Sequence, residues 1–140
     1  MIKKNGFTFV EVITTVAIIG VLATIAAISI RALQMNGRDA RRVSDINEIR
    51  NALSLYYSKY NQYPTSITPG QRFQLGNTIF MEKVPSNPTP RNDGNCNDSE
   101  YIYETQNNNI SYTINFCLGD NFADIRYGNN QAVPEGIIPN

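Results

Sequence analysis

The segment Met1-Ile2-Lys3-Lys4-Asn5-Gly6-Phe7-Thr8-Phe9-Val10-Glu11-Val12, continued by ITTVAIIGVLATIAAISI to Ile30, decides how the rest of the chain is read. Between Lys4 and Arg31 lie 26 residues whose only ionisable side chain is Glu11. The apolar run Phe7 to Ile30 is 24 residues long. As a helix it would cover ~36 Å, enough for a bilayer core of ~30 Å. A short basic stretch with Lys3 and Lys4 precedes it, as in an export signal, but the apolar core of a cleavable signal runs only about 7 to 15 residues. Ala27-Ile28-Ser29 does offer small residues at a cleavage spacing, so a conventional signal peptide and a plain single-pass anchor both stay open.

Glu11 separates these readings. A carboxylate at bilayer centre costs about 2.5 to 3.5 kcal/mol on insertion scales, and intramembrane charges usually have a partner at the same depth. A signal peptide or a simple anchor gains nothing from that acid. The segment holds no cation, and a Glu snorkelling to a nearby interface is the plain structural reading. If the bond after Gly6 were cut, the new α-amine of Phe7 would be a cation four residues away, at the membrane face, available to a neighbouring copy.

Lys3-Lys4-Asn5-Gly6 followed by Phe7-Thr8-Phe9-Val10-Glu11-Val12 resembles the class III signal of type IV pilins and type II secretion pseudopilins, with a basic leader, Gly, Phe, and Glu fifth in the mature chain. Phe9 and Val10 stand where Leu and Ile are frequent in the family, and they remain apolar. The resemblance implies leader cleavage between Gly6 and Phe7 by a prepilin peptidase, N-methylation of Phe7, and pairing of Glu11 with the terminus of an adjacent subunit. Implied partners are further copies in a helical filament, an inner-membrane assembly platform and an ATPase, in a single-pass membrane protein whose carboxyl end is extracytoplasmic. The filament or pseudopilus would be reached after assembly.

Beyond the span, Val43, Ile46, Ile49, Leu53, Tyr56 and Tyr60 recur at spacings of 3, 3, 4, 3 and 4, which is helix periodicity. One nearly continuous helix is expected from Phe7 to about Tyr60, with Gly20 and Gly37 as weak points, each ~1 kcal/mol worse than Ala. Arg41 and Asp45 stand at ion-pair spacing. The arginines at 31, 38, 41 and 42 outnumber Lys3 and Lys4, so the positive-inside rule alone favours the opposite orientation; the leader and the cysteines favour an exported carboxyl end. Pro64 closes the helix after an aromatic cluster, Tyr56 to Tyr63, read as core packing. The ending resembles the Gly-x-Tyr-Pro of major pseudopilins, with Asn61 in place of Gly.

Residues 64 to 98, rich in Pro, Asn, Ser and Thr, read as loop with a short helix from Thr78 to Lys83. Period-two alternation then predicts a hairpin, Tyr101, Tyr103 and Thr105 on one strand and Ile110, Tyr112, Ile114 and Phe116 on the next. A third strand is expected at Ala123 to Tyr127, followed by a short Pro/Gly-rich tail from Gln131. Cys96 and Cys117 are the only cysteines and fit one structural disulfide in an oxidising compartment, worth ~3 kcal/mol on the chain-entropy model; two free thiols are the alternative.

Asp93-x-Asn95-x-Asn97 with Glu104 nearly matches a calcium loop, but Asp98 stands where the sharp turn needs Gly, so the stretch reads as a polar loop. Asp120 to Ile125 faintly resembles the Ala-Asp-Ile of calcium-holding pseudopilin loops, and no ligand is assigned. With no His in the chain, and no phosphate cradle, no catalytic or zinc site is expected, and no cofactor. Residues 31–60 carry net +3 and residues 61–140 net −4, which predicts salt-sensitive contacts between the head of one subunit and the stem of another. An acidic head without a basic aromatic stripe argues against nucleic acid.

The expected fold is α+β, a long amino-terminal helix whose second half packs on a small antiparallel β head. The expected organisation is a leader at 1–6, a transmembrane and filament-core helix at 7–30, an amphipathic stem at 31–61 and a disulfide-bearing head at 62–140. A structural subunit of a pilus-like filament is the first functional reading. An exported or membrane-anchored binding module with a conventional signal or anchor is the second; a lipoprotein version would need a Cys near the span, and none is there.

Overall fold

The computed structural model describes residues 6–139. Helix α1 runs Phe9–Tyr60, and four-residue hydrogen bonding continues through Gly20 and Gly37. A Cβ at either glycine would meet nothing within 4 Å, so close packing within the chain explains neither. At its amino end, Thr8 and Glu11 form a capping box that satisfies orphan amides of the first turn. At its other end, Asn61 follows with φ of 54°, a left-handed residue of the kind that stops helices and that asparagine tolerates better than most.

The chain divides into two compact units between Gln34 and Met35. The first is apolar helix, with Val10, Ile13, Val16, Ile18, Ile19, Val21, Leu22 and Ile25 all exposed. One 18-residue window there has a mean hydropathy of 2.4, so α1 is long and apolar enough to cross a membrane.

In the second unit the stem residues Ile46, Ile49, Ala52, Leu53 and Tyr56 pack against a four-stranded antiparallel sheet in the order β3-β4-β5-β6. These strands are β3 Ile102–Gln106, β4 Ser111–Leu118, β5 Gly128–Val133 and β6 Gly136–Ile138, preceded by a separate hairpin of β1 Phe73–Leu75 and β2 Thr78–Met81. Strand β4 turns Tyr112, Ile114, Phe116 and Leu118 into the core, as period two requires. The expected α+β class, with its long helix on a small antiparallel head, is what the fold shows.

Three local expectations are corrected. Thr78 to Lys83 is not a helix: Thr78–Met81 is strand β2, paired with β1 across the Gly76 turn. Its Ile-Phe-Met run gains more from pairing, and from placing Phe80 5.1 Å from the Tyr56 ring, than from one isolated helical turn. The third strand is not Ala123 to Tyr127, where only a bridge between Phe122 and Ile125 forms, but Gly128–Val133. Gly-Asn-Asn-Gln is a poor strand former, and pairing with Ile114 to Leu118 of β4 overrides that preference. The tail from Gln131 completes β5 and turns back as β6. Ile110, expected within the second strand, lies in the turn and is 61% exposed; Asn107, Asn108 and Asn109 before it all take positive φ.

Candidate functional site

Gly6, Phe7 and Thr8 precede α1 in irregular, exposed backbone, and Phe7 is 86% exposed. Glu11 sits in the first turn. Its Oε2 accepts the Thr8 backbone N–H at 2.7 Å and the Thr8 hydroxyl at 2.8 Å, while its own N–H donates to Thr8 Oγ1 at 3.3 Å. One carboxylate oxygen is therefore held inside the chain, and among the described residues Oε1 has no hydrogen-bond partner. The negative charge also lies at the positive end of the helix dipole, which stabilises it. Sequence reasoning looked only for a cation and missed Thr8, although Ser/Thr-x-x-Glu before an apolar run is the capping-box signature.

A second polar constellation fastens the stem to the head. Arg42 is fully buried. Its guanidinium donates to Asp39 Oδ1 at 2.6 Å, Asn87 Oδ1 at 2.8 Å and Asp93 Oδ2 at 3.0 Å. Arg38 forms a two-pronged pair with Asp93 at 2.5 and 2.7 Å, the planar fork geometry that suits a carboxylate. Asp39 accepts the backbone N–H groups of Gly119 at 3.0 Å and Asp120 at 2.9 Å, so every charge in the cluster is paired and hydrogen-bonded. Burial opposes ionisation of Asp93, but the hydrogen bonds and charges of Arg38 and Arg42 outweigh it and hold its pKa below the ordinary value.

This cluster puts two earlier readings in place. Asp93, first residue of the calcium-loop near-match, is held by two guanidinium groups. Arg38 and Arg42, counted toward a positive stem facing other subunits, pair with acids of their own chain. Asp39 and Arg42 extend the stripe of Ile46, Ile49 and Leu53 by one turn, the one sequence signal that they face inward. Asp45 forms no ion pair with Arg41 among the described residues; its Oδ2 accepts the Tyr101 hydroxyl at 3.0 Å. Burial pushes the Asp45 pKa up, against the Tyr101 bond and the Arg41 charge.

Cys96 and Cys117 form a disulfide. The loop it ties down approaches the end of β4 so closely that a Cβ on Gly94 would fall 2.2 Å from the Gly119 carbonyl oxygen. Asn121 and the run from Ala123 to Asn129 border a shallow depression on the surface, and among the described residues no three His, Cys, Asp or Glu side chains cluster as metal ligands.

The family description "Prokaryotic N-terminal methylation motif" matches residues 1–27. The chain is similar to the type II secretion system core protein G of Vibrio cholerae serotype O1, at 33% identity over 66% of this chain and 58% of that protein. It is likewise similar to the protein of that name from Aeromonas hydrophila, at 29% over 64% and 57%, and from Escherichia coli K12, at 34% over 46% and 44%. The chain thus spans 57–58% of the length of the first two relatives and 44% of the third. No solved structure matches it. The resemblance to prepilins and type II secretion pseudopilins read from the leader is thereby shown, by the methylation motif at the amino end and by the core protein G likeness along about two thirds of the chain.

Proposed function

We propose that this protein is a structural subunit of a type II secretion pseudopilus or a closely related type IV pilus-like filament, processed at its leader and assembled through its amino-terminal helix. The observation that carries the reading is one acid, Glu11, at the head of an otherwise apolar and exposed helix, within a matched methylation motif. Cleavage falls between Gly6 and Phe7, in backbone that is exposed and outside the helix, as a peptidase needs. Phe7 becomes the methylated terminus. Residues 7–30 are the membrane and filament-core segment, residues 31–61 the stem, and residues 62–140 the extracytoplasmic head. The partners are other copies, the prepilin peptidase, and the inner-membrane platform and ATPase that drive assembly.

The capping box gives this reading a two-stage form. While the subunit waits in the membrane, Thr8 holds one oxygen of Glu11 and lowers the cost of an acid in oil; on assembly the remaining oxygen takes the amine of a neighbouring Phe7. Mass spectrometry of the membrane-extracted protein is the first test. A terminus at methylated Phe7 is expected, and one at Ile30 or at an unprocessed Met1 refutes the processing. Charge and cap are then separated by variants: Glu11→Gln keeps an acceptor for Thr8 and loses the charge, so it should insert and be cleaved but assemble poorly. Filaments of normal yield from Glu11→Gln would reject the ion pair.

A further inference from the structure

Residues 92–97 form a loop whose backbone hydrogen bonds close locally: the Cys96 N–H donates to the Asp93 carbonyl at 2.8 Å and the Ser99 N–H to the Asn97 carbonyl at 2.8 Å. Among the described residues, two side-chain links tie this loop to the rest of the second unit. One is the Cys96–Cys117 disulfide, which reaches strand β4. The other is the Asp93 carboxylate, which takes both prongs of Arg38 and one bond from Arg42 on the stem. Gly119, just past the end of β4, is where loop, strand and stem meet: an added Cβ there would lie 2.9 Å from Asp93 Cβ and 3.0 Å from Met35 Sδ. The N–H groups of Gly119 and Asp120 in turn bind Asp39.

Asp39 and Asp93 together balance the guanidiniums of Arg38 and Arg42. With the disulfide open, the Asp93 side chain alone would have to hold a loop that reads Asn-Asp-Gly-Asn-Cys-Asn, and ordering so unconstrained a segment is entropically costly. Departure of Asp93 would leave a positive charge in excess where Arg42 is fully buried, the arrangement a low-dielectric interior tolerates least. Among the described residues the apolar core receives no stem side chain before Val43, and the turns before it include Gly37, a poor helix former. We infer that oxidation of Cys96 and Cys117 is the step that docks stem residues 35–42 on the head. In the dithiol state the docked stem begins near Val43; forming the bond advances it by about two helical turns, to Met35, where the compact unit starts. The chemistry is thiol–disulfide exchange: the two thiols give two electrons and two protons to a disulfide-bearing oxidant, which leaves as two thiols while the Cys96–Cys117 bond forms. Oxidising compartments supply such an oxidant, so on the extracytoplasmic head proposed above, docking follows export. That timing rests on the proposed function; the docking rests on contacts within this chain.

The test compares hydrogen exchange of the full chain in detergent with that of two disulfide-free variants, Cys96→Ser with Cys117→Ser and Cys96→Ala with Cys117→Val, the second keeping both buried positions apolar. Amides of residues 36–42 should exchange roughly tenfold faster or more, while those of residues 46–56 change by less than about twofold. Rates that rise equally in both segments, as in a variant that does not fold, would mean that the bond stabilises the head as a whole. Unchanged rates at 36–42 would mean that the stem docks without it. Either result overturns the inference. With the disulfide intact, Asp93→Asn should release the same amides, and adding it to the Ala/Val pair should alter their rates by less than about twofold; effects that multiply independently would overturn the link. Native chain that has been reduced and then given oxidised glutathione should regain protection at 36–42 in step with disulfide formation, and recovery ahead of the bond would overturn the order. None of these readouts involves leader cleavage or filaments, so they fail independently of the function proposed above.

Discussion

Replacing Arg42 by Met keeps most of the aliphatic bulk and removes the charge at the centre of the stem-to-head cluster. In the native chain this guanidinium is fully buried and satisfies Asp39, Asn87 and Asp93 together, with further contacts to the carbonyls of Pro90 and Arg91. Removing one partner of a buried pair costs about 3 to 5 kcal/mol, because the other charge is left uncompensated. Here Asp93 keeps the two bonds of Arg38 and Asp39 keeps two backbone amides, so the lower end applies. For a unit of this size, about 3 kcal/mol corresponds to a fall in Tm of order 10 °C. Thermal unfolding of the detergent-solubilised protein, followed by near-UV circular dichroism of the tyrosine-rich head, reads the shift. Arg38→Met, which removes a guanidinium that is 21% exposed, should cost less. A Tm within about 2 °C of wild type for Arg42→Met would mean that the cluster is not what holds stem to head.

Asp93 and Asp45 should respond to pH with opposite signs. The Asp93 pKa is depressed in the fold, so its stabilising contribution is present above the unfolded carboxylate value near ~4 and is lost as pH falls through the lower folded value. The Asp45 pKa is raised, so its ionised form opposes folding at neutral pH, and that penalty is relieved as pH falls below the raised value. At pH 7, Asp93→Asn should destabilise and Asp45→Asn should be neutral or stabilising, with the difference between them narrowing toward pH 3 in denaturant titrations. Gly94→Ala should destabilise by about 2 kcal/mol or more, since it combines a φ of 52° with a Cβ 2.2 Å from backbone oxygen; an unaltered Tm would refute the close approach. Cys96→Ser with Cys117→Ser frees a 21-residue link and should cost roughly 3 kcal/mol on the chain-entropy model, read as a lower urea midpoint.

The long helix was legible because its signals are local and redundant: an apolar run of membrane length, then a 3–4 spacing, then proline. The β3–β4 hairpin was legible because tyrosine and isoleucine alternate there. Gly128–Val133 was not, since Gly-Asn-Asn-Gln becomes a strand only when β4 offers it a ladder, and no single-segment pattern carries that information. Arg42 and Asp93 likewise find each other across 51 residues, and only their place on the Ile46 stripe hinted that the stem end of the pair turns inward. At the candidate site, the motif pointed to Gly6, Phe7 and Glu11 for the roles proposed above, while Thr8 was overlooked because a charge in oil directs attention to other charges before it directs attention to backbone amides.

That oversight matters for how an acid is tolerated at the membrane. If an ion pair were the only remedy for Glu11, a lone subunit would carry the full insertion cost until a second copy arrived, and the waiting pool would be disfavoured. Two hydrogen bonds from Thr8 change the comparison. On the proposed reading they offset part of the desolvation and leave the other oxygen for a neighbour's amine. The exposed apolar surface from Val10 to Ile25 is satisfied equally by lipid or by identical helices, and hydrophobic burial therefore supplies little preference for assembly inside the membrane. In the filament proposed above, that preference would come from a polar contact available only between copies, and Glu11 carries the one ionisable side chain among residues 7–30 that could provide it.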